Sequence, residues 1–186
     1  MFACTRRPAF LTVAIGVVAL LVVGNLCLIF GFSSESREES GARSRQVTEI
    51  AAHVLHPDFG VMSPVEQEET VESLHHIVRK TAHFSEFALL GVLTALLVQL
   101  WGMRGECPLV VWIHAGIPAG FCLLAAISDE TYQIWTNRGA SAVDVCIDFG
   151  GAVCGVLILR AIVWMWTASR RFRTTTTGKG GVSRCN

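Results

Sequence analysis

The stretch Ala9–Phe32 carries no charged residue, and that feature removes most soluble folds from consideration. A helix rises about 1.5 Å per residue, so roughly 20 apolar residues cross the hydrocarbon core of a bilayer. Arg6 and Arg7 precede the run, as basic residues precede a secretory signal. However, the run outlasts the usual apolar region of about 7–15 residues, and no small-x-small cleavage site follows it. Gly24-Asn25-Leu26-Cys27 is also a poor lipoprotein cleavage site, because Asn and Leu precede the cysteine. The reading is a retained membrane anchor.

Three more runs have the same character. The second, Ala82–Met103, is interrupted only by His83 and Glu86 near its start. The third, Cys107–Ile127, has no formal charge. The fourth, residues 142–168, carries Asp144 and Asp148 early, Arg160 late, and Trp164 and Trp166 where an aromatic belt would sit. Composition agrees: the chain is 52% hydrophobic and 16% charged, where soluble domains carry about 25% charged residues. The expected fold is all-α, a polytopic membrane protein with a bundle of four transmembrane helices and a helical extracytoplasmic loop.

Orientation follows from the short flanks. Arg6, Arg7, Arg104, Arg170, Arg171, Arg173, Lys179 and Arg184 mark one side, which the positive-inside rule makes cytoplasmic. Residues 1–8 and the TTTTGKGG-bearing tail 169–186 are then inside, the tail disordered. Residues 33–81 and 128–141 face out. The first of these loops begins with a polar stretch, Ser33–Ser44, expected to be mobile. Val47, Ile50, Ala51, Val54 and Leu55 then recur at helical spacing. That helix either lies on the outer leaflet or packs in solvent on the other spans. Ser63, Pro64 and Glu66 form a capping box that starts a second helix, expected to run unbroken into span two.

Several chemistries are not supported. Fifteen basic and fifteen acidic residues balance, and no basic stripe with interleaved aromatics suggests nucleic acid. Seven cysteines without a CxxC pair or Cys/His ligand spacing support neither a disulfide framework nor a zinc ribbon. No cofactor follows from the sequence, and no metal-ligand set is assigned.

The ionisable residues gather near the outer ends of the spans. Arg79, His83 and Glu86 share one face of the helix entering span two, with Lys80 beside them. Asp129 and Gln133 are four apart with Glu130 between, and Arg138 follows in the next loop. Asp144 and Asp148 are again four apart, and their face continues to Gly151 and Gly155 as a GxxxG spacing that permits close helix approach. A charge near the bilayer centre costs about 2.5–3.5 kcal/mol on insertion scales, and less near the interface. Polar groups from three segments at one depth point to a binding pocket more than to mere glue between helices. His114, alone in span three, reads as a packing residue, and the adjacent pair His75-His76 is not ligand spacing.

These same residues carry a resemblance. Arg79-Lys80-Thr81-Ala82-His83-Phe84-Ser85-Glu86-Phe87, followed by Leu90-Gly91, resembles the RKxxHxxEY signature of VanZ-like membrane proteins. Asp129-Glu130-Thr131-Tyr132-Gln133, then Arg138, Asp144-Val145, Asp148, Gly151 and Gly155, resembles the second signature of that family. The likeness covers residues 32–155. It departs at Phe87, where the family usually has Tyr, and at Thr136-Asn137, where Pro-Gly often precedes the arginine. The resemblance implies a cell-envelope membrane protein linked to resistance against lipid-tailed glycopeptides such as teicoplanin.

The leading expectation is therefore an accessory envelope protein acting at the outer leaflet on a membrane lipid or lipid-linked amphiphile. Arg79, Lys80 and Arg138 would engage phosphate or carboxylate, and His83, Glu86, Asp129, Glu130, Gln133, Asp144 and Asp148 would complete the ligand-binding set. The rival is an intramembrane enzyme, with His83, Glu86, Asp129 and Glu130 as catalytic candidates and His83 as general base. A metal-dependent form of it would use His83 with Glu86 and Asp129 or Glu130. A transporter has little support in four spans without repeats. A homo-oligomer or an envelope protein partner stays open.

Overall fold

A computed structural model describes residues 9–35, 37–104, 111–135 and 141–177. Among these residues the chain is helical, without strands. Five helices follow one another: α1 (Ala9–Ser34), α2 (Arg37–Leu55), α3 (Pro64–Arg104), α4 (Val111–Trp135) and α5 (Ala142–Thr177), with a single 3₁₀ turn at Phe59–Val61 between α2 and α3. Among the described residues, three segments are long and apolar enough to cross a membrane: Ala9–Ser34, Pro64–Met103 and Ala142–Arg170.

α1 buries Ile15, Val18, Val22, Asn25, Ile29 and Ser33, a three-and-four spacing that makes one narrow seam. The rest of its surface is apolar and outward, with Leu20 73% exposed. That is the pattern of a helix with one protein face and a lipid face. Asn25 makes the seam specific by donating to the Glu86 backbone carbonyl at 3.3 Å.

α3 is the axis of the molecule and touches every other helix. At 41 residues it extends about 60 Å, twice the hydrocarbon thickness of about 30 Å. Its start is built as a capping box. The Ser63 amide donates to Glu66 Oε2 at 2.8 Å, and the Glu66 amide donates to Ser63 Oγ at 3.4 Å. No break separates its polar first half from its apolar second half. The polar half carries α2 across it, through a small core of Ala52, Phe59 and Val71. Arg45 on α2 adds an exposed fork onto Glu68.

The structure departs from the sequence reading in three places, one of them the tail expected to be disordered from residue 169, where α5 continues unbroken to Thr177. The polar Ser33–Ser44 stretch is helical at both its ends, because α1 runs to Ser34 and α2 starts at Arg37. Arg, Glu and Ala there are good helix formers, and docking on α3 supplies what so polar a helix lacks alone. The loop expected from Ser128 is helical to Trp135. Gln133 there donates to Asp129 Oδ2 one turn earlier, at 3.0 Å, and no breaker intervenes.

Within the bundle, α3 and α5 lie side by side and run in the same direction. Lys80 meets Asp144 near one end and Gln99 meets Arg160 near the other. α4 runs back between them, setting Cys122 beside Thr94 and Asp129 near His83. The α3–α5 contact is backbone on backbone. A Cβ added at Gly151 would overlap the Phe84 carbonyl, one at Gly155 the Ala88 carbonyl, and one at Gly91 the Ala152 carbonyl. The expected GxxxG approach is thus present, with Gly91 answering it from α3. Phe87, Leu90, Cys122, Ala126 and Ala152 fill the core around this contact.

This predicts opposite signs for one substitution at two sites. Gly→Ala in an exposed helix gains about 0.8–1 kcal/mol in propensity, so Gly24→Ala, with nothing within 4 Å of the new Cβ, should hold or raise the melting temperature in detergent. Gly155→Ala should lower it, because overpacking costs about 1–3 kcal/mol and here the obstacle is backbone. Equal melting temperatures for the two variants would show that the α3–α5 contact is looser than described.

Candidate functional site

The parallel, close-packed register of α3 and α5 brings the two polar ends together. α3 contributes Arg79, Lys80, His83 and Glu86 at one level, α5 contributes Asp144 and Asp148, and α4 returns to deliver Asp129, Glu130 and Gln133. Between them lies a cavity of about 30 Å³, room for one or two water-sized species. Arg79, Lys80, His83, Glu130, Gln133, Asp144, Ile147 and Asp148 line it.

The charges are arranged rather than merely close. Lys80 Nζ stands 3.0 Å from Asp144 Oδ1, with both side chains about one-third exposed. His83 Nδ1 lies 4.0 Å from Glu86 Oε2. The Ser141 amide, at the start of α5, donates to Glu130 Oε1, which ties the end of α4 to that start. Asp129 is fully buried and Asp148 is 2% exposed. Among the described residues, Asp129 Oδ1 and Glu130 Oε2 are buried without a hydrogen-bond partner. Buried polar atoms normally find partners, so two orphan carboxylate oxygens at one cavity call for an explanation.

The cluster is acidic among the described residues, with Glu86, Asp129, Glu130, Asp144 and Asp148 facing Arg79 and Lys80. Two like charges about 4 Å apart repel by about 4 kcal/mol at an effective dielectric near 20. Glue between helices would be better served by matched charges. One ring nitrogen of His83 and one oxygen each of Asp129 and Asp148 lie within 4.8 Å of one another.

A second cavity, of about 160 Å³, opens on the other side of α3. Phe32 and Glu35 from the end of α1, Ser44 and Val47 from α2, and Val78, Arg79, Ala82, His83 and Glu86 from α3 line it. Its walls are mainly apolar, and it shares Arg79 and His83 with the polar cavity.

The structure therefore places seven of the expected ligand-binding residues on the polar cavity, Asp129 within reach of two of them, and Glu86 on the groove. Arg138 and the His114 side chain lie outside the described residues. Phe87 is buried in the bundle core rather than on either cavity, so the hydroxyl lost there would have pointed into packing. The sequence reading missed the α1 and α2 contributions to the groove. Asn25 and Ser33 were the available signal, two polar residues on one seam of an otherwise apolar helix.

The family model VanZ/LLP1 matches residues 16–165, and the chain belongs to that family. It is a membrane protein of the VanZ type. No curated protein and no solved structure matches it.

The Lys80–Asp144 pair gives a direct test of the charge arrangement. Lys80→Met strands Asp144 beside other carboxylates and should lower the detergent-phase melting temperature, by the equivalent of about 1 kcal/mol after discounting for exposure. Adding Asp144→Asn should recover most of that loss, since it removes the stranded charge. A double variant no better than Lys80→Met would show that the two do not act as a pair.

Proposed function

We propose that this VanZ/LLP1-family protein is a multi-pass protein of the bacterial cell membrane that binds an amphiphile at the outer leaflet. The observation that carries the reading is the junction at Arg79 and His83, where a polar cavity and a larger apolar groove share a wall. A ligand with a polar head and an acyl or polyprenyl tail fits such a pair of compartments, and a uniformly polar or apolar ligand does not. Arg79 stands where head and tail would join, with a guanidinium suited to a phosphate or carboxylate.

Four spans with both termini cytoplasmic accompany this proposal. Two adjacent helices that run in parallel need a return path of equal depth, and α4 supplies it with the run from Val111 to Ile127, which carries no formal charge. Basic residues on the short flanks set the direction. Val47, Ile50, Val54 and Leu55 form an exposed apolar stripe on α2, which the outer leaflet would cover. At the inner end Arg170 stacks on Trp166, 3.7 Å from the ring centroid, a pairing suited to the headgroup level.

The finer proposal is that the amphiphile is a lipid-linked wall precursor or the tail of a glycopeptide, with low-level protection against teicoplanin as the consequence. The second reading, an intramembrane enzyme on a lipid-linked envelope precursor, draws on His83 lying between Glu86 and the buried Asp129. No serine or cysteine lines the polar cavity among the described residues, which leaves water as the nucleophile.

Two measurements test these readings. Single cysteines at Glu49 and Thr131, in a chain cleared of native cysteines, should react with an impermeant maleimide on intact cells. Labelling only after lysis would reverse the topology and remove the outer-leaflet ligand. In a teicoplanin-sensitive host, His83→Ala should abolish protection at unchanged membrane abundance. An abundant, fully protective His83→Ala variant would exclude His83 from the site.

A further inference from the structure

We propose that His83, Asp129 and Asp148 form a binding site for a divalent cation at the inner edge of the polar cavity. The three residues come from α3, α4 and α5, and each offers one ligand atom within 4.8 Å of the other two. Ligand atoms around a metal ion at about 2.1 Å stand roughly 3–4 Å apart. Side-chain movement of about 1 Å, well within rotamer adjustment, closes the set.

A cluster of acidic residues alone would not carry this. The second observation is Asp129, whose residue is fully buried and whose Oδ1 has no hydrogen-bond partner among the described residues. Its other oxygen accepts from Gln133 Nε2 at 3.0 Å. That bond fixes the carboxylate with Oδ1 left over, the arrangement by which an outer hydrogen bond orients a metal ligand. The third observation is space: the adjoining cavity, lined by His83 and Asp148, is about 30 Å³, enough for water to complete a coordination shell.

Charge points the same way. Lys80 is engaged by Asp144, so it does not offset Asp129 and Asp148. A divalent cation would neutralise both carboxylates at the point where three helices meet. One imidazole with two carboxylates suits Mn²⁺ or Zn²⁺ better than Ca²⁺, which takes six to eight oxygens, or Mg²⁺, which prefers oxygen and retained water. Three protein ligands leave coordination positions open toward the cavity. An anionic head group could occupy one, which explains how an acidic chamber accepts a phosphate.

The site uses the polar cavity but does not depend on the amphiphile reading. Mn²⁺ binding without lipid binding would remove that reading and keep the metal site, and the reverse result would do the opposite.

The experiment uses the full chain in detergent, stripped with chelator and titrated with Mn²⁺ alone by electron paramagnetic resonance. One Mn²⁺ per chain should be bound, with nitrogen modulation from a single imidazole in the pulsed spectrum. Asp129→Asn and Asp148→Asn should weaken binding on the order of 10–100-fold, and His83→Gln should abolish the nitrogen signal. Glu72→Gln, on the exposed part of α3, should change nothing. Circular dichroism and gel filtration establish that each variant folds, and where one does not, the wild-type stoichiometry and nitrogen signal decide. Failure of the wild-type chain to bind Mn²⁺, a spectrum without nitrogen, or equal binding by the folded Asn variants would overturn the proposal. Carboxylates that satisfy each other by sharing protons give the first of these outcomes.

Discussion

The arrangement of this protein depends on how closely α3 and α5 approach. Between helices in lipid there is no hydrophobic drive, because the surrounding acyl chains are as apolar as leucine. Association then rests on packing and on polar contacts, and both improve steeply as backbones come together. Gly91, Gly151 and Gly155 supply the absence of side chain that contact requires. The consequence reaches beyond stability. With Phe84 against Gly151 and Ala88 against Gly155, the residues within two turns before them on each helix are held at the same depth. Those residues are Lys80 and His83 on one side and Asp144 and Asp148 on the other. A side chain at either glycine would separate the helices and open the polar cluster, so the site and the bundle share one structural origin.

The same contact fixes the role of α4. Parallel neighbours cannot be joined by a tight turn, and the connecting helix has to travel the length of the pair. It does so with its small, apolar middle packed on α3, where Cys122 meets Thr94, and its polar end at the site. The cost of burying Asp129 and Glu130 is offset in part by local bonds from Gln133 and the Ser141 amide. The remaining oxygens are left over. Evolution tolerates such leftovers mainly where something else completes them.

What could be read from the chain alone divides along physical lines. The capping box at Ser63, the unbroken α3, the helical spacing of Arg79, His83 and Glu86, and the glycine pair on α5 are local patterns, and local patterns survive folding. Three features were not legible. The helical start of α2 at Arg37 depends on docking against α3, for which a polar SSESREESGARS stretch gives no signal. The extension of α4 to Trp135 was hidden because acidic residues after an apolar run resemble a loop at a membrane surface. The apolar groove was invisible because its walls come from α1, α2 and α3, and the α1 and α2 residues that complete it are unremarkable on their own helices. The exposed stripe of α2 shows the same limit from the other side. Its spacing is helical, but spacing cannot say that Thr48 and Ala52 face the protein while Ile50 and Val54 face away.

Arg79 and His83 line both compartments, and under the proposed function that would make head and tail recognition inseparable at these positions. A tail seated in the groove presses on the same side chains that a head group would contact from the polar cavity. Binding energy from the apolar part can therefore position the polar part, as remote contacts commonly do. Glu86 belongs to this linkage as well, since it lines the groove yet lies 4.0 Å from His83. Its backbone carbonyl accepts from Asn25, which couples α1 to the turn that carries both residues. The seam polar residue of α1 thus has a function that packing alone would not give it: it holds the register of the dividing wall. A ligand that lacked a tail would leave the groove empty and lose that support, and one that lacked a head would leave the acidic chamber uncompensated. Under the proposed function, selection for amphiphiles would follow from the shared wall rather than from any single residue.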